Sequence, residues 1–408
     1  MRTIIGIDVS KSKANIAVVT DLVVAKEAVI PLDALGFSEL KHVVLQFGGN
    51  VEIVFEATGV YSRRLEYFLQ QEHLNYHILN PLAAKNRIAT GSRLRKNDKQ
   101  DARRLAITEF TEQLEPYLMA YKQDPIYREL TDMNRYYDQL NEDKKRARNR
   151  AHRVLQLVFA SFGASKDGFN FDTKLTWELL TLFPHAQIIR EIGDLNELES
   201  QILAAQFKGV GPQKAHNAAR KLWKLAAKNG DAVPVNSDNT RQMRALAEQI
   251  LALEAAQNQQ VLRMTELGKS LPELELLQTI PGIGSSTAIR LIGELGDIRR
   301  FNTRQELNSY VGIDTTEIDS GDHQSTRHIT KHGNPHARRI LYWTVILMVN
   351  PKMANNHIRD AYQKRREVSS SKKKKKLIVQ QMDRLIKTIL YLIKTNQPYS
   401  YELSPHLK

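Results

Sequence analysis

The chain has 408 residues, 42% of them apolar, and carries 59 Lys and Arg against 45 Asp and Glu, a formal net charge of +14. That length predicts two or three domains with a core in each, and the basic excess points to a polyanionic partner, nucleic acid ahead of a membrane surface. The absence of cysteine excludes disulfides, thiolate zinc sites and cysteine nucleophiles, so any metal must be held by oxygen or imidazole.

No stretch approaches the roughly 18 uninterrupted apolar residues of a membrane-spanning helix. Met1 leads straight into a strand pattern with no signal peptide, so a cytoplasmic, nucleoid-associated protein is expected. Residues 3–7, 15–20 and 23–30 are short, β-branched and closely spaced, which predicts a three-stranded meander. A helix over 38–47, a buried strand over 51–55, a helix over 61–72, a strand over 76–79 and a charge-rich helix over 97–110 follow. This order is expected of an RNase H-like layered domain over residues 1–120.

From Ile126 the pattern changes to heptads. Ile126, Leu130, Met133, Tyr137, Leu140, Ala147, Ala151, Val154 and Val158 form one narrow apolar seam that Lys144 interrupts. Met243, Leu246, Ile250, Leu253, Met264, Leu267 and Leu271 repeat the spacing, with Gln257 and Gln260 in the middle. The two helices are expected to pair with each other or across subunits, and residues 121–270 read as a helical, coiled-coil region. Between them, residues 171–232 are helical but irregular, with no assignable chemistry. Residues 271–408 read as a separate, mainly helical domain ending in an amphipathic helix over 377–394. The fold class is thus α/β plus all-α.

Asp8 closes the first strand in GIDVSK and Glu56 closes the fourth in VFEATG, so neighbouring strands deliver two carboxylates to one edge of a sheet. Asp98 and Asp101, three apart in KNDKQDARR, share one face of a helix. Hard cations such as Mg²⁺ choose carboxylate oxygen, and two of them about 3.5 to 4 Å apart can clamp a phosphodiester. Singly, each residue is better read as a turn residue or surface charge. Jointly they are more specific, because Arg95, Lys96, Lys99 and Arg103 form a phosphate track around the aspartates.

In the last domain LQTIPGIGSSTAIRLIGEL has the form of a helix-hairpin-helix, with Gly282 and Gly284 in a tight turn that exposes backbone amides to a DNA phosphate. Helix packing is the competing reading of such a turn, and the favoured one for the weaker GVGPQKA at 209–215. The polar stretch IDSGDHQSTRHITKHGNPHARR holds Ser320, which a loop can expose as a nucleophile, with Arg327, Lys331 and Arg338 as phosphate contacts. Its histidines match no standard metal spacing. The run SSSKKKKK at 369–376 reads as a solvated basic segment that touches nucleic-acid backbone.

With these residues in hand the chain resembles, over almost its whole length, the DEDD transposases of bacterial insertion sequences related to the Piv DNA invertase. GIDVSK, FEATG and KNDKQDARRLA match the family's amino-terminal RuvC-like motifs; IPGIGSSTAIRLIGELGDIRRF, IDSG and ITKHGNPHARRILYWT match its carboxy-terminal domain in order and spacing. The resemblance implies that Asp8, Glu56, Asp98 and Asp101 bind Mg²⁺, with Mn²⁺ able to substitute, and that Ser320, from a neighbouring subunit, attacks the scissile phosphate. It also implies double-stranded DNA as substrate (element ends and target), a structured noncoding guide RNA, the bridge RNA, and homodimers that assemble to tetramers. Asp319 and Asp322 flank the serine and repel phosphate unless paired or metal-bound, which leaves Ser325 as the other candidate nucleophile. The competing enzyme is a RuvC-like structure-specific nuclease that uses the four carboxylates alone on activated water. A DNA-organising protein without chemistry and a sugar kinase or actin-like ATPase are weaker readings, the latter because no second phosphate-binding glycine turn follows.

Overall fold

The computed structural model describes residues 2–48, 51–79, 98–111, 124–163, 167–315, 319–320, 323–324, 328–368 and 374–402. The chain divides into two compact units, Met1–Lys122 and Gln123–Lys408.

In the first unit β1 (Thr3–Val9), β2 (Lys13–Thr20) and β3 (Val23–Pro31) form the expected meander, followed by α1 (Ala34–Gln46), β4 (Glu52–Glu56), α2 (Ser62–Gln71), β5 (Tyr76–Leu79) and α3 (Asp98–Thr111). The strands make one mixed sheet in the order β3-β2-β1-β4-β5, antiparallel across the first three and parallel across β1, β4 and β5. Asp33 caps α1 by accepting from the amides of Leu35 and Gly36.

Side-chain alternation decides which layer each strand residue serves. Ile5, Ile7, Ile53 and Phe55 point to one face, where Leu40, Val44, Leu65 and Leu69 of α1 and α2 bury them. Ile4, Val19, Val54 and Leu79 point to the other, against Leu105 and Ala106 of α3. The contact between α3 and β1 is close because Gly6 has no side chain: a Cβ there would lie 2.0 Å from the Ala102 carbonyl oxygen and 2.7 Å from the Ala106 nitrogen.

Among the described residues the second unit is helical apart from one pair of two-residue strands and a single bridge between Thr315 and Ile329. Its frame is a pair of long helices, α4 (Pro125–Val158) and α9 (Asp238–Leu267). They pack antiparallel, since Gln260 donates to the Met133 carbonyl at 3.1 Å and Gln257 to Asn141 at 3.3 Å. The glutamines that break the heptads are therefore buried and satisfied across the pair. The seam itself departs from the expected one. Leu130, Asn134 and Asp138 are buried on the first half of α4, whereas Met133 and Tyr137 are half-exposed, because that half also faces the last domain's helices.

Two cores flank the frame. One joins the second half of α4 and the first half of α9 to α5 (Lys174–Leu182), α6 (Ala186–Ile192), α7 (Leu195–Ala204) and α8 (Pro212–Ala227). This bundle accounts for the irregular stretch, whose apolar residues serve several partners rather than one face. The other core joins the opposite ends of the pair to α10 (Pro272–Gln278), α11 (Ser285–Leu295), α12 (Arg304–Val311), α13 (Pro335–Met348), α14 (His357–Val368) and α15 (Lys374–Thr395). No helix among the described residues is long and apolar enough to cross a membrane.

Candidate functional site

In the first unit the register pairs Ile7 with Phe55 on parallel neighbours. Asp8 and Glu56 follow as the next residues, on strands about 4.8 Å apart. Both share the parity of Gly6 and Val54, so both belong to the α3 face. Asn15, opposite Asp8 on β2, is buried on the same face with its Nδ2 unpartnered.

The direction of α3 follows from its ends. Phe110 lies under the Arg2 guanidinium, 5.4 Å from the ring centre, and Glu109 meets His77 at 2.8 Å, both near the starts of the strands. Ala102 lies on Gly6. The helix therefore runs against β1, and its first turn, with Asp98 and Asp101, comes to the edge at which Asp8 and Glu56 sit. Asp101 is half-buried and accepts from Arg104 at 3.2 Å. Carboxylates on one sheet edge, such as Asp8 and Glu56, fit a hard divalent cation, which takes oxygen ligands.

Arg103 is spent differently from the sequence expectation. It forms a bidentate pair with Glu27 of β3, with Nη2 to Oε2 at 2.7 Å, which ties α3 to the sheet; the carboxylate holds the guanidinium pKa above its ordinary value. Lys99 is on the first turn of α3. Arg95, Lys96, Arg327 and Ser325 lie outside the described residues.

At the opposite edge of the same face, Glu52, His77 and Glu109 bring three ligand-type atoms within 4.8 Å of one another. Arg2 pairs with Glu52 at 2.6 Å, so a guanidinium already answers that charge.

In the second unit Ser320 is in a short hairpin, β6 (Asp319–Ser320) against β7 (His323–Gln324), with Ser320 opposite His323. What holds the roots of this segment is a charge network that sequence reading missed. Glu294 of α11 is 2% exposed and accepts from Asn134 at 2.6 Å, from Arg135 twice at 2.8 Å and from Asn334 at 2.9 Å. Asn334 caps α13, and its amide donates to the Tyr310 carbonyl at 2.7 Å, while the Tyr310 hydroxyl donates to the Glu294 carbonyl at 3.0 Å. Asp138 of α4 meets Arg290 at 3.0 Å, His336 at 2.5 Å and Arg339. Asp138, Glu294 and His336 could geometrically hold a metal, but guanidinium and amide donors occupy their oxygens.

Arg338 donates to the Val311 carbonyl at 2.7 Å, and burial lowers its pKa, so part of it braces the loop root. Lys331 is exposed and in the left-handed region at φ 58°. Gly282 also has positive φ, 94°, as the turn between α10 and α11 requires. Gly284 caps α11, and nothing lies within 4 Å of where its Cβ would be.

The sequence itself carried faint signals for this network. Glu294 interrupts the apolar AIRLIGEL, and Asn134 and Asp138 recur four apart on a face that buries Leu130.

A family model described as a transposase, of the IS110 DEDD type, matches residues 5–160, and one described as Transposase IS116/IS110/IS902 family matches residues 274–363. The transposase for insertion sequence element IS1111A of Coxiella burnetii is 25% identical over 111 residues, 27% of this chain and 30% of its own length. The insertion element IS110 uncharacterized 43.6 kDa protein of Streptomyces coelicolor is 29% identical over 123 residues, 30% of this chain and 29% of its own. These alignments thus span less than a third of each relative. Among solved structures, T. thermophilus RuvC in complex with Holliday junction substrate aligns over 29% of this chain and 99% of its own at 12% identity, with a TM-score of 0.23. The first family model takes in the carboxylates and α4, and the second takes in the α10–α11 turn and the serine segment; the chain belongs to the IS110 family of bacterial insertion-sequence transposases.

Proposed function

We propose that the chain is a DNA transposase that excises and inserts an insertion sequence by strand exchange, with a RuvC-like first domain over residues 1–120, a helical region over 121–270 that brings subunits together as dimers and tetramers, and a serine-bearing domain over 271–408. The observation that carries the reading is the β1–β4 register, after which Asp8 and Glu56 follow on neighbouring strands on the face that α3 covers.

Asp8, Glu56, Asp98 and Asp101 would hold Mg²⁺, which supplies charge stabilisation to a bound phosphodiester. The Ser320 hydroxyl attacks phosphorus: the Oγ–P bond forms, the P–O bond to the leaving deoxyribose breaks, and the leaving oxygen takes up a proton. Attack on the same phosphorus by a hydroxyl of another strand forms the new P–O bond, breaks the Oγ–P bond and returns a proton to the serine, so bond energy is conserved and no ATP is needed. Lys331, and Arg338 with its remaining N–H groups, would stabilise the phosphoryl charge. The α10–α11 turn would act as a helix-hairpin-helix that grips backbone through the amides following Gly284, with no base readout. A structured noncoding RNA would supply the choice of donor and target DNA.

The test is to place the gene with its native flanking DNA in a bacterial cell and amplify the circular junction of the excised element for wild type, Asp8→Ala and Ser320→Ala. Junctions in wild type that vanish in both variants support the two-part site. Junctions that survive Ser320→Ala overturn the serine step and return the reading to a carboxylate nuclease.

A further inference from the structure

The second half of α4 carries charge in a way that its neighbours do not answer. Residues 144–153 read KKRARNRAHR, six Lys and Arg with no carboxylate between them. The first half of the same helix, by contrast, mixes Arg128, Glu129, Asp132, Arg135 and Asp138. Two of the six cations are engaged inside the molecule. Arg148 donates to Asp172 at 2.9 Å and to the Phe171 carbonyl, and Lys144 is half-buried near Glu254. Burial holds the Lys144 ammonium below its usual pKa, with Glu254 opposing and Arg148 adding to the depression.

The other four face outward. Lys145, Arg150 and Arg153 are exposed with no carboxylate partner among the described residues, and Arg146 reaches Asp143 only at 3.8 Å, with both side chains more than half exposed. Helical spacing makes neighbours of Arg146, Arg150 and Arg153, at steps of four and three. Like charges at these spacings destabilise a helix, and among the described residues only the long Arg146–Asp143 pair opposes that here. The row from Lys145 to Arg153 is about 12 Å long at 1.5 Å per residue, the axial rise of three to four nucleotides of one strand.

Two surface depressions border the row. One, of about 450 Å³, has an apolar floor of Val154, Leu157 and Leu246 rimmed by Arg150, Arg153 and glutamines of α9. The other, of about 380 Å³, is lined by Asn141, Lys144, Lys145, Arg148, Asn149 and His152. Neither lining contains a carboxylate. The uncompensated charge, the neutral amides beside it and the length of the row match a phosphodiester chain better than a protein helix, which would need an acidic face of matching pitch.

We propose that residues 144–153 of α4 are a nucleic-acid backbone track in which Lys145, Arg146, Arg150 and Arg153 neutralise successive phosphates without reading bases. The choice of polyanion rests on the proposed function, but binding at this helix needs neither the carboxylates nor Ser320.

The test is fluorescence anisotropy of the full chain in EDTA, across a salt series, on random-sequence duplex DNA, single-stranded DNA, duplex RNA and single-stranded RNA. The variants are R146Q/R150Q/R153Q and, as a charge-matched control on another exposed surface of the unit, K208Q/K214Q/R220Q; Gln keeps helix propensity near that of the residues it replaces. Each phosphate contact contributes about 0.9 to the slope of log K against log salt on duplex DNA and about 0.7 on single strands. The expected result is a slope smaller by about 2 to 3 in R146Q/R150Q/R153Q, unchanged in the control, with the polymer that loses most naming the natural occupant as DNA or RNA. An unchanged slope on all four polymers with an intact circular dichroism spectrum overturns the proposal. So does an equal loss in the control, or a change in mass by light scattering with binding unaltered, which would make this a protein interface. Excision is not read, so failure of the junction assay and failure of this track are separate outcomes.

Discussion

The two units assemble charged groups by different means. In the sheet unit, Asp8 and Glu56 reach one edge through strand alternation and a one-residue step beyond the Ile7–Phe55 pair. In the helical unit, Asp138 and Glu294 are drawn together from 156 residues apart, and guanidiniums from α4, α11 and α13 surround them. The first arrangement brings carboxylates to one sheet edge, where the proposed cation would find oxygen ligands. The second balances each carboxylate internally and so braces helices. Within the first unit the Glu52, His77 and Glu109 edge has Arg2, whereas the Asp8 edge faces the first turn of α3, where Asp101 pairs with Arg104.

If that contrast holds, substitutions at the two kinds of cluster must differ in readout. Asp8→Asn and Glu56→Gln are expected to reduce junction formation by about 10³-fold or more, since several kcal/mol of transition-state stabilisation are lost and each 1.4 kcal/mol is tenfold. Thermal unfolding of the same variants should change less than that of Glu294→Ala, because each swap keeps the shape of the side chain. Glu294→Ala should do the reverse first. It leaves Arg135 and two amides without their acceptor and is expected to cost about 3 to 5 kcal/mol in denaturant unfolding. A Glu294→Ala chain of wild-type stability would mean that the network does not brace the serine loop.

Gly6→Ala sharpens the comparison from the sheet side. Its Cβ would overlap the Ala102 carbonyl, pushing α3 from the sheet at about 1 to 3 kcal/mol. Cation affinity should fall with it, even though no carboxylate has been removed. His357 offers the smallest effect and belongs to the braced class. It is buried between the Tyr399 hydroxyl at 2.8 Å and Thr388 at 3.1 Å. Burial, with Arg384 and Lys387 outweighing Asp360, pushes its pKa from 6.5 to about 4. The unfolded chain therefore binds a proton that the folded one refuses as pH falls below 6.5. Stability is full above that value and is expected to be lower by about 2 kcal/mol near pH 5. Chemical denaturation of wild type and His357→Gln at both pH values checks this, with the pH dependence reduced in the variant.

The sheet unit was legible because its signals are local. Short β-branched runs ending in Asp8 and Glu56 announce both the strands and the edge, and period-two alternation does the rest. Even so, the tie between Arg103 and Glu27, 76 residues apart, was hidden inside a run of cations that reads equally well as a phosphate track. The helical unit was legible in its long helices but not in its register. Asn134 and Asp138 look like breaks in a heptad until α11 and α13 supply Glu294, Arg290 and His336, and Gln257 and Gln260 look like interruptions until α4 supplies acceptors. Polar groups at buried positions are fixed by partners far away in sequence, which no local pattern encodes.

The most direct test of the account is Mn²⁺ binding to the full chain, followed by electron paramagnetic resonance, for wild type, Asp8→Asn and the Asp138→Asn variant of the braced cluster. The account predicts bound Mn²⁺ in wild type and in Asp138→Asn, and an affinity at least about tenfold weaker in Asp8→Asn. Equal binding by wild type and Asp8→Asn, or loss in Asp138→Asn alone, would contradict it.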